Sequence, residues 1–134
     1  LASACMAAGR EAEDKTEIDL ADFVRMARAS VQGVKKRGGA DVGEKTMLDT
    51  LVPWADALAA AQLEGKSLRQ ALDAAREAAE RGMIGTQSMI STVGRGSWLG
   101  ERTKGVQDPG ATSSYLMIRS LTEYVDTSEP ADSK

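Results

Sequence analysis

Two stretches of this 134-residue chain concentrate the residue types that can hold a charged, planar ligand. The first is "RGGADVGEKTMLD", from Arg37 to Asp49. The second is "GRGSWLGERTKGVQDPGATSS", from Gly94 to Ser114, with five glycines, three cations and one Asp-Pro-Gly. Loops beyond about 12–15 residues are uncommon in compact domains and are mostly functional or disordered. This one carries Trp98 and Leu99 as anchors and interleaves its charges with apolar residues, which points to a folded, functional loop. Glycines let a backbone approach a ligand closely. A helix starting near Glu44 would offer free N–H groups and the Thr46 hydroxyl to an anion. Arg95, Arg102 and Lys104 would add positive charge, and an arginine grips phosphate oxygens two at a time. Met47 is an adaptable apolar plate suited to a purine face. Asp108-Pro109-Gly110 is a rigid turn whose carboxylate and backbone can fix a polar edge. The set describes a nucleotide pocket.

Each of these residues also has a plain structural reading. Met47 falls at helical spacing and suits a core. Asp108 before Pro-Gly suits a turn and a helix cap. Lys45 and Asp49 stand four apart and can pair on a helix surface. The three loop cations, and Lys35, Lys36 and Arg37 at a helix end, suit solvent and the negative end of a helix dipole. On the residues alone both readings stay open.

Composition narrows the classes. Hydrophobic residues make up 42% and charged residues 28%, a globular balance, while aromatics are only 4% and alanine is abundant. That favours closely packed helices over sheets, which prefer β-branched and aromatic residues. The chain has no histidine, which excludes His metal ligands, Ser-His triads and phosphohistidine on its own residues. Its single cysteine, Cys5 in "LASACMAA", forms no internal disulfide and reads as a small buried residue in a cytoplasmic protein. A net charge of −3 gives no pull toward nucleic acid or anionic membrane. No run approaches the roughly 18 apolar residues of a membrane span, and no signal peptide opens the chain. The abrupt start at Leu1 suggests a segment missing upstream.

The elements that must position these residues are helices. Residues 1–10 read as the remnant of one. Asp19 or Thr16 caps a second from Leu20 to Lys36, with Leu20, Phe23, Val24, Ala27, Val31 and Val34 on one face. A third is expected over Glu44–Leu63, kinked or restarted at Pro53. Ser67 caps a fourth through "SLRQALDAAREAAERGMIGTQSMIST", where Gly82 and Gly85 mark a bend or a close approach to another helix. The last runs from Ala111 to Val125, and residues 126–134 form a frayed tail. Short connections make an antiparallel up-down bundle, a single all-α domain over 1–134. In that arrangement the start of the third helix, the end of the fourth and the start of the last share one end, so both glycine-rich stretches converge there.

"GGADVGEKTMLDTLVP" and "GRGSWLGERTKGVQDPGA" resemble the two signature segments of the nucleotide-binding L subunit of dihydroxyacetone kinase, G-D-K-T-M-x-D-A-L-x-P and G-R-A-S-Y-L-G-E-R-x-x-G-x-x-D-P-G-A. The resemblance implies an all-α, eight-helix up-down barrel, here lacking about three N-terminal helices. It implies ADP or ATP in a pocket lined by Gly38, Thr46 and Met47. Arg95 would act at the phosphates or ribose as the catalytic cation, and Asp108, Pro109 and Gly110 would close over the nucleotide. The phosphoryl acceptor would be dihydroxyacetone or a related short ketose held by a partner K subunit, with a phosphotransferase-system phosphocarrier as an alternative donor to ATP. Glu44 replaces the family's Asp, and Gly96-Ser97-Trp98 replaces Ala-Ser-Tyr. The family's G-D-G-D segment, which holds Mg2+, and its Ser-Gly phosphate loop are absent from this sequence, so the metal ligands are expected upstream and the chain is expected to be inactive alone. The alternative is a non-catalytic helical interaction or regulatory module. An incomplete barrel would bare an apolar face in either case and leave room for a homodimer. A fatty-acid kinase relative fits less well, because its K-T-M and D-P-G segments differ.

Overall fold

The computed structural model describes residues 2–11, 18–38, 42–90 and 104–128, and these are helical throughout their regular parts. The helices are α1 (Ala2–Glu11), α2 (Leu20–Gly38), α3 (Leu48–Leu63), α4 (Leu68–Gly85) and α5 (Pro109–Ser128), with a 3-10 turn at Thr86–Ser88. No strand occurs among the described residues. The all-α expectation is met.

Local chemistry explains most helix ends. At α2, the Asp19 carboxylate accepts the Asp22 N–H at 2.9 Å and the Asp22 carboxylate accepts the Asp19 N–H at 3.1 Å. This reciprocal pair satisfies two otherwise orphaned donors. Thr16, the alternative cap, lies outside the described residues. Ser67 and Gln70 form the same kind of box at α4, as Ser67 in that position predicts. Asp108 caps α5: its carboxylate accepts the Ala111 N–H at 2.9 Å, and Pro109 takes the first helical position, where its missing N–H costs nothing.

Three other boundaries depart from the sequence reading, while the end of α3 at Leu63 agrees with it. α3 starts at Leu48 rather than Glu44, because Gly43 (φ 92°) and Lys45 (φ 60°) adopt left-handed backbone that no α-helix admits. α4 stops at Gly85 instead of running to Thr92. The Thr86 hydroxyl donates to the Met83 carbonyl at 2.6 Å, the Ser88 hydroxyl donates to Gly85 at 3.0 Å, and Met89 is extended. α5 continues past Val125, since Arg69 Nη2 donates to the Asp126 carbonyl at 2.7 Å and holds the last turn on α4. Residues 129–134 of the expected tail lie outside the described residues.

The helices pack in chain order, α1 on α2, α2 on α3, α3 on α4 and α4 on α5, with α5 also touching α3. Contacts between the start of α3 and Gly82, and between Arg69 and Asp126, make α4 antiparallel to both α3 and α5. The core is built from Phe23, Ala27 and Val31 of α2, Leu48, Leu51, Trp54 and Leu58 of α3, Ala71, Leu72, Ala75 and Ala79 of α4, and Ala111, Tyr115 and Ile118 of α5. The four α4 residues are fully buried. Three of them are alanines one turn apart, and this small-residue stripe lets α4 lie close against its neighbours. Cys5 departs from its expected burial and is exposed, because α1 packs chiefly on α2 and leaves much of its surface uncovered.

Pro53 does not break α3, which runs through it as one helix. The carbonyl deprived of its partner by a proline at this position is that of Asp49, four residues back. That carbonyl faces Gly82 of α4, where a Cβ would stand 2.0 Å from the Asp49 oxygen and 3.2 Å from the Pro53 Cγ. Only a glycine permits this approach. The close-approach reading of Gly82 therefore holds, and Gly82 and Pro53 are two halves of one helix crossing.

Candidate functional site

The start of α3, the exit of α4 and the entrance of α5 meet at one end of the bundle. A Cβ placed on Gly110 would lie 3.6 Å from the Met47 Cβ and 3.7 Å from the Met47 N, so the two motif segments touch directly. Thr50 Oγ1 donates to the Ala111 carbonyl at 2.9 Å across the same contact. Thr86, fully buried, accepts the Asp108 N–H at 3.0 Å while donating to Met83. The Gly105 N–H donates to the Gln87 carbonyl at 2.5 Å. Side-chain hydroxyls and backbone groups thus stitch together three elements that are far apart in sequence.

Thr46, Met47, Asp108, Pro109 and Gly110 are gathered at this mouth. Met47 is half-buried and packs against the core with part of its surface still open. Its two readings, core residue and ligand plate, are therefore compatible. Gly38 closes α2, and residues 39–41, between it and Val42, lie outside the described residues. Arg95 and Arg102 lie outside them too; Lys104 is described and exposed.

Two expectations are corrected. The first turn of α3 is not a set of free N–H groups awaiting an anion. The Asp49 carboxylate already accepts the Gly43 N–H at 2.7 Å and the Thr46 N–H at 2.9 Å, and the Thr46 hydroxyl accepts the Leu48 N–H at 3.1 Å. A resident carboxylate takes the place a phosphate would want at a helix start. Nor do Lys45 and Asp49 form a surface pair. Both are buried, at 3% exposure each, and Lys45 Nζ donates to the carbonyls of Met89 at 3.2 Å and Val106 at 2.5 Å. Holding lysine at φ 60° costs roughly 1–2 kcal/mol, which the surrounding contacts must offset.

Asp49, Thr50 and Thr86 hold this mouth together; the sequence reading gave Asp49 only a surface pairing with Lys45 and passed over Thr50 and Thr86. Asp49 carried a local signal: Thr46-x-x-Asp49 before an apolar run is the pattern of a helix start whose acid reaches back to the backbone. Thr50 and Thr86 gave none, because their partners lie 61 and 22 residues away.

The sequence of the chain has counterparts among known proteins. The DAK2 domain model matches residues 1–123. The chain belongs to the DAK2 domain family. It is 38% identical over 114 residues to the ADP-binding subunit DhaL of the PEP-dependent dihydroxyacetone kinase of Escherichia coli (strain K12), an alignment covering 85% of this chain and 54% of the relative. It is 34% identical over 114 residues to the corresponding DhaL subunit of the PTS-dependent kinase of Lactococcus lactis, with 85% and 54% covered. It is 37% identical over 99 residues to the L-erythrulose 1-kinase of Mycolicibacterium smegmatis, covering 72% of this chain and 17% of that enzyme. The chain thus spans about half the length of the DhaL subunits it matches.

At the mouth Met47 keeps a partly open apolar surface, and Gly110 brings bare backbone against it. The described residues include no group of three or more Asp, Glu, Cys or His side chains placed to hold a metal ion. These residues alone therefore do not fit Mg2+. No described helix is long and apolar enough to cross a membrane.

Proposed function

We propose that this DAK2 domain holds the adenine nucleotide, ADP or ATP, of a dihydroxyacetone kinase-type phosphotransferase, with the base against Met47 and the Asp108–Gly110 turn closing beside it. The observation that carries the reading is the contact between Gly110 and Met47, which joins both signature segments at one mouth. The names of the DhaL relatives, ADP-binding subunits of dihydroxyacetone kinases, support the choice of nucleotide.

In this reading the mouth binds and orients, and phosphoryl transfer relies on positioning and on charge around the moving phosphoryl group. Arg95 meets the phosphates. The phosphates lie away from the α3 start, where Asp49 would repel them. The acceptor is dihydroxyacetone or a related short ketose held by a K subunit. A phosphotransferase-system partner recharges bound ADP, or ATP serves as the donor. The chain by itself binds nucleotide weakly and transfers nothing.

Calorimetric titration with ADP tests this. Saturable binding is expected, weakened by at least about tenfold in Arg95→Ala, the scale of one charge-assisted hydrogen bond, with the melting temperature unchanged. No saturable heat from the parent chain would refute the nucleotide reading. Tight, Mg2+-dependent binding would instead refute weak binding by the chain alone.

A further inference from the structure

Lysine rarely occupies the position that Lys45 holds. The residue is 3% exposed, its backbone is left-handed at φ 60°, and its ammonium turns inward. Nζ donates to the carbonyls of Met89 and Val106, 44 and 61 residues further along the chain. Met89 follows the 3-10 turn at the exit of α4, and Val106 stands two residues before the cap of α5. Next to this grip the Gly105 N–H meets the Gln87 carbonyl, and the Asp108 N–H meets Thr86. On its other side Lys45 is flanked by Gly43 and Thr46, whose N–H groups are both seated on Asp49. A single ammonium therefore ties the turn before α3 to the exit of α4 and the entrance of α5. An ammonium has three donors and bonds carbonyls with charge assistance, so one atom can grip two strands of backbone at once.

We propose that Lys45 is a positioning residue for the nucleotide mouth: its grip on Met89 and Val106 sets the spacing between Met47 and the Asp108–Gly110 turn. The nucleotide part of this inference rests on the proposed function; the mechanical part does not. The backbone geometry agrees with it. A residue held in an unfavourable conformation persists only where its surroundings over-determine it, and such residues gather at ligand clamps.

Three forms of the chain decide the matter: the parent, Lys45→Met, which keeps the apolar stem and removes every donor, and Lys45→Arg, which restores a cationic donor. Amide exchange by NMR reads the mouth without ligand. In Lys45→Met the Gly105 and Asp108 amides should exchange at least about tenfold faster, while those of Leu58 and Ala75, in the middle of α3 and α4, keep their rates. ADP affinity should fall by about tenfold in the same variant, the worth of one charge-assisted hydrogen bond, and Lys45→Arg should recover part of both losses. Unchanged exchange at Gly105 and Asp108 would overturn the proposal. Equal acceleration at Leu58 and Ala75 would overturn it as well, since it would mark a general loss of stability. Full ADP affinity in Lys45→Met would remove the positioning role. If the parent binds no ADP, the nucleotide reading fails separately, and the exchange rates still decide whether Lys45 holds the mouth.

Discussion

The seam between α3 and α4 and the mouth at their end are neighbours held together by different physics. The seam is apolar and close: Ala71, Leu72, Ala75 and Ala79 are fully buried, and Gly82 lets the Asp49 carbonyl approach where no side chain fits. Its strength comes from area removed from water and from packing without voids. The mouth adds polar bonds to its apolar contacts. It is laced by Lys45, Asp49, Thr50 and Thr86, each bridging to backbone of another segment or of its own turn. The comparison teaches where a binding end can be built. A seam tolerates no opening, whereas segments tied by hydrogen bonds are held at a spacing that the bonds set.

Substitutions in each region should therefore fail differently. Gly82→Ala should have the largest effect. It forces a methyl group into the Asp49 carbonyl, and overpacking of this kind costs about 2–3 kcal/mol, more than alanine's gain in helix propensity of about 1 kcal/mol. Urea unfolding followed by circular dichroism should show the midpoint falling with an unchanged slope, and the loss should reach the whole bundle. Thr86→Val comes next. It keeps the volume but strips the acceptor from the Asp108 N–H and the donor from Met83, at about 1–2 kcal/mol. Its mark should be local: faster amide exchange at Asp108, with the α3–α4 seam still protected. A loss spread evenly over the seam would erase the distinction between the two regions.

The smallest effect lies at the far end, where the start of α4 meets the end of α5. Burial, and after it the negative charge and hydrogen bond of Asp126, raise the Asp73 carboxyl above its ordinary value, against the opposing pull of Arg76 and Arg69. A raised carboxyl favours the folded state most when protonated, so the ionised form weakens the fold at neutral pH. Asp73→Asn should then gain a few tenths of a kcal/mol at pH 7. The gain should shrink as pH falls through the raised value and vanish below the ordinary carboxylate range. Melting curves of the two proteins that stayed equally far apart at every pH would contradict this.

Much was legible in the residues themselves. Helical class follows from alanine-rich stripes at three- and four-residue spacing. The caps at Asp19 and Ser67 follow from side chains that bond a backbone only a few residues away. The two signature segments point to the family without any coordinates. What could not be read was non-local or depended on backbone sign. Left-handed Lys45 removed a turn from the expected third helix, and Asp49 filled the helix start that a phosphate was expected to use.

The sequence by itself determined that this chain makes capped, closely packed helices and carries the DAK2 domain signatures, because those properties reside in short-range spacing and side-chain type. Only the tertiary structure decided that Gly82 answers Pro53, that Gly110 rests on Met47, and that Lys45 turns inward to grip two distant carbonyls. Each of those is a contact between residues that become neighbours only after helices of fixed length pack side by side, and no local rule encodes which backbone group will arrive there.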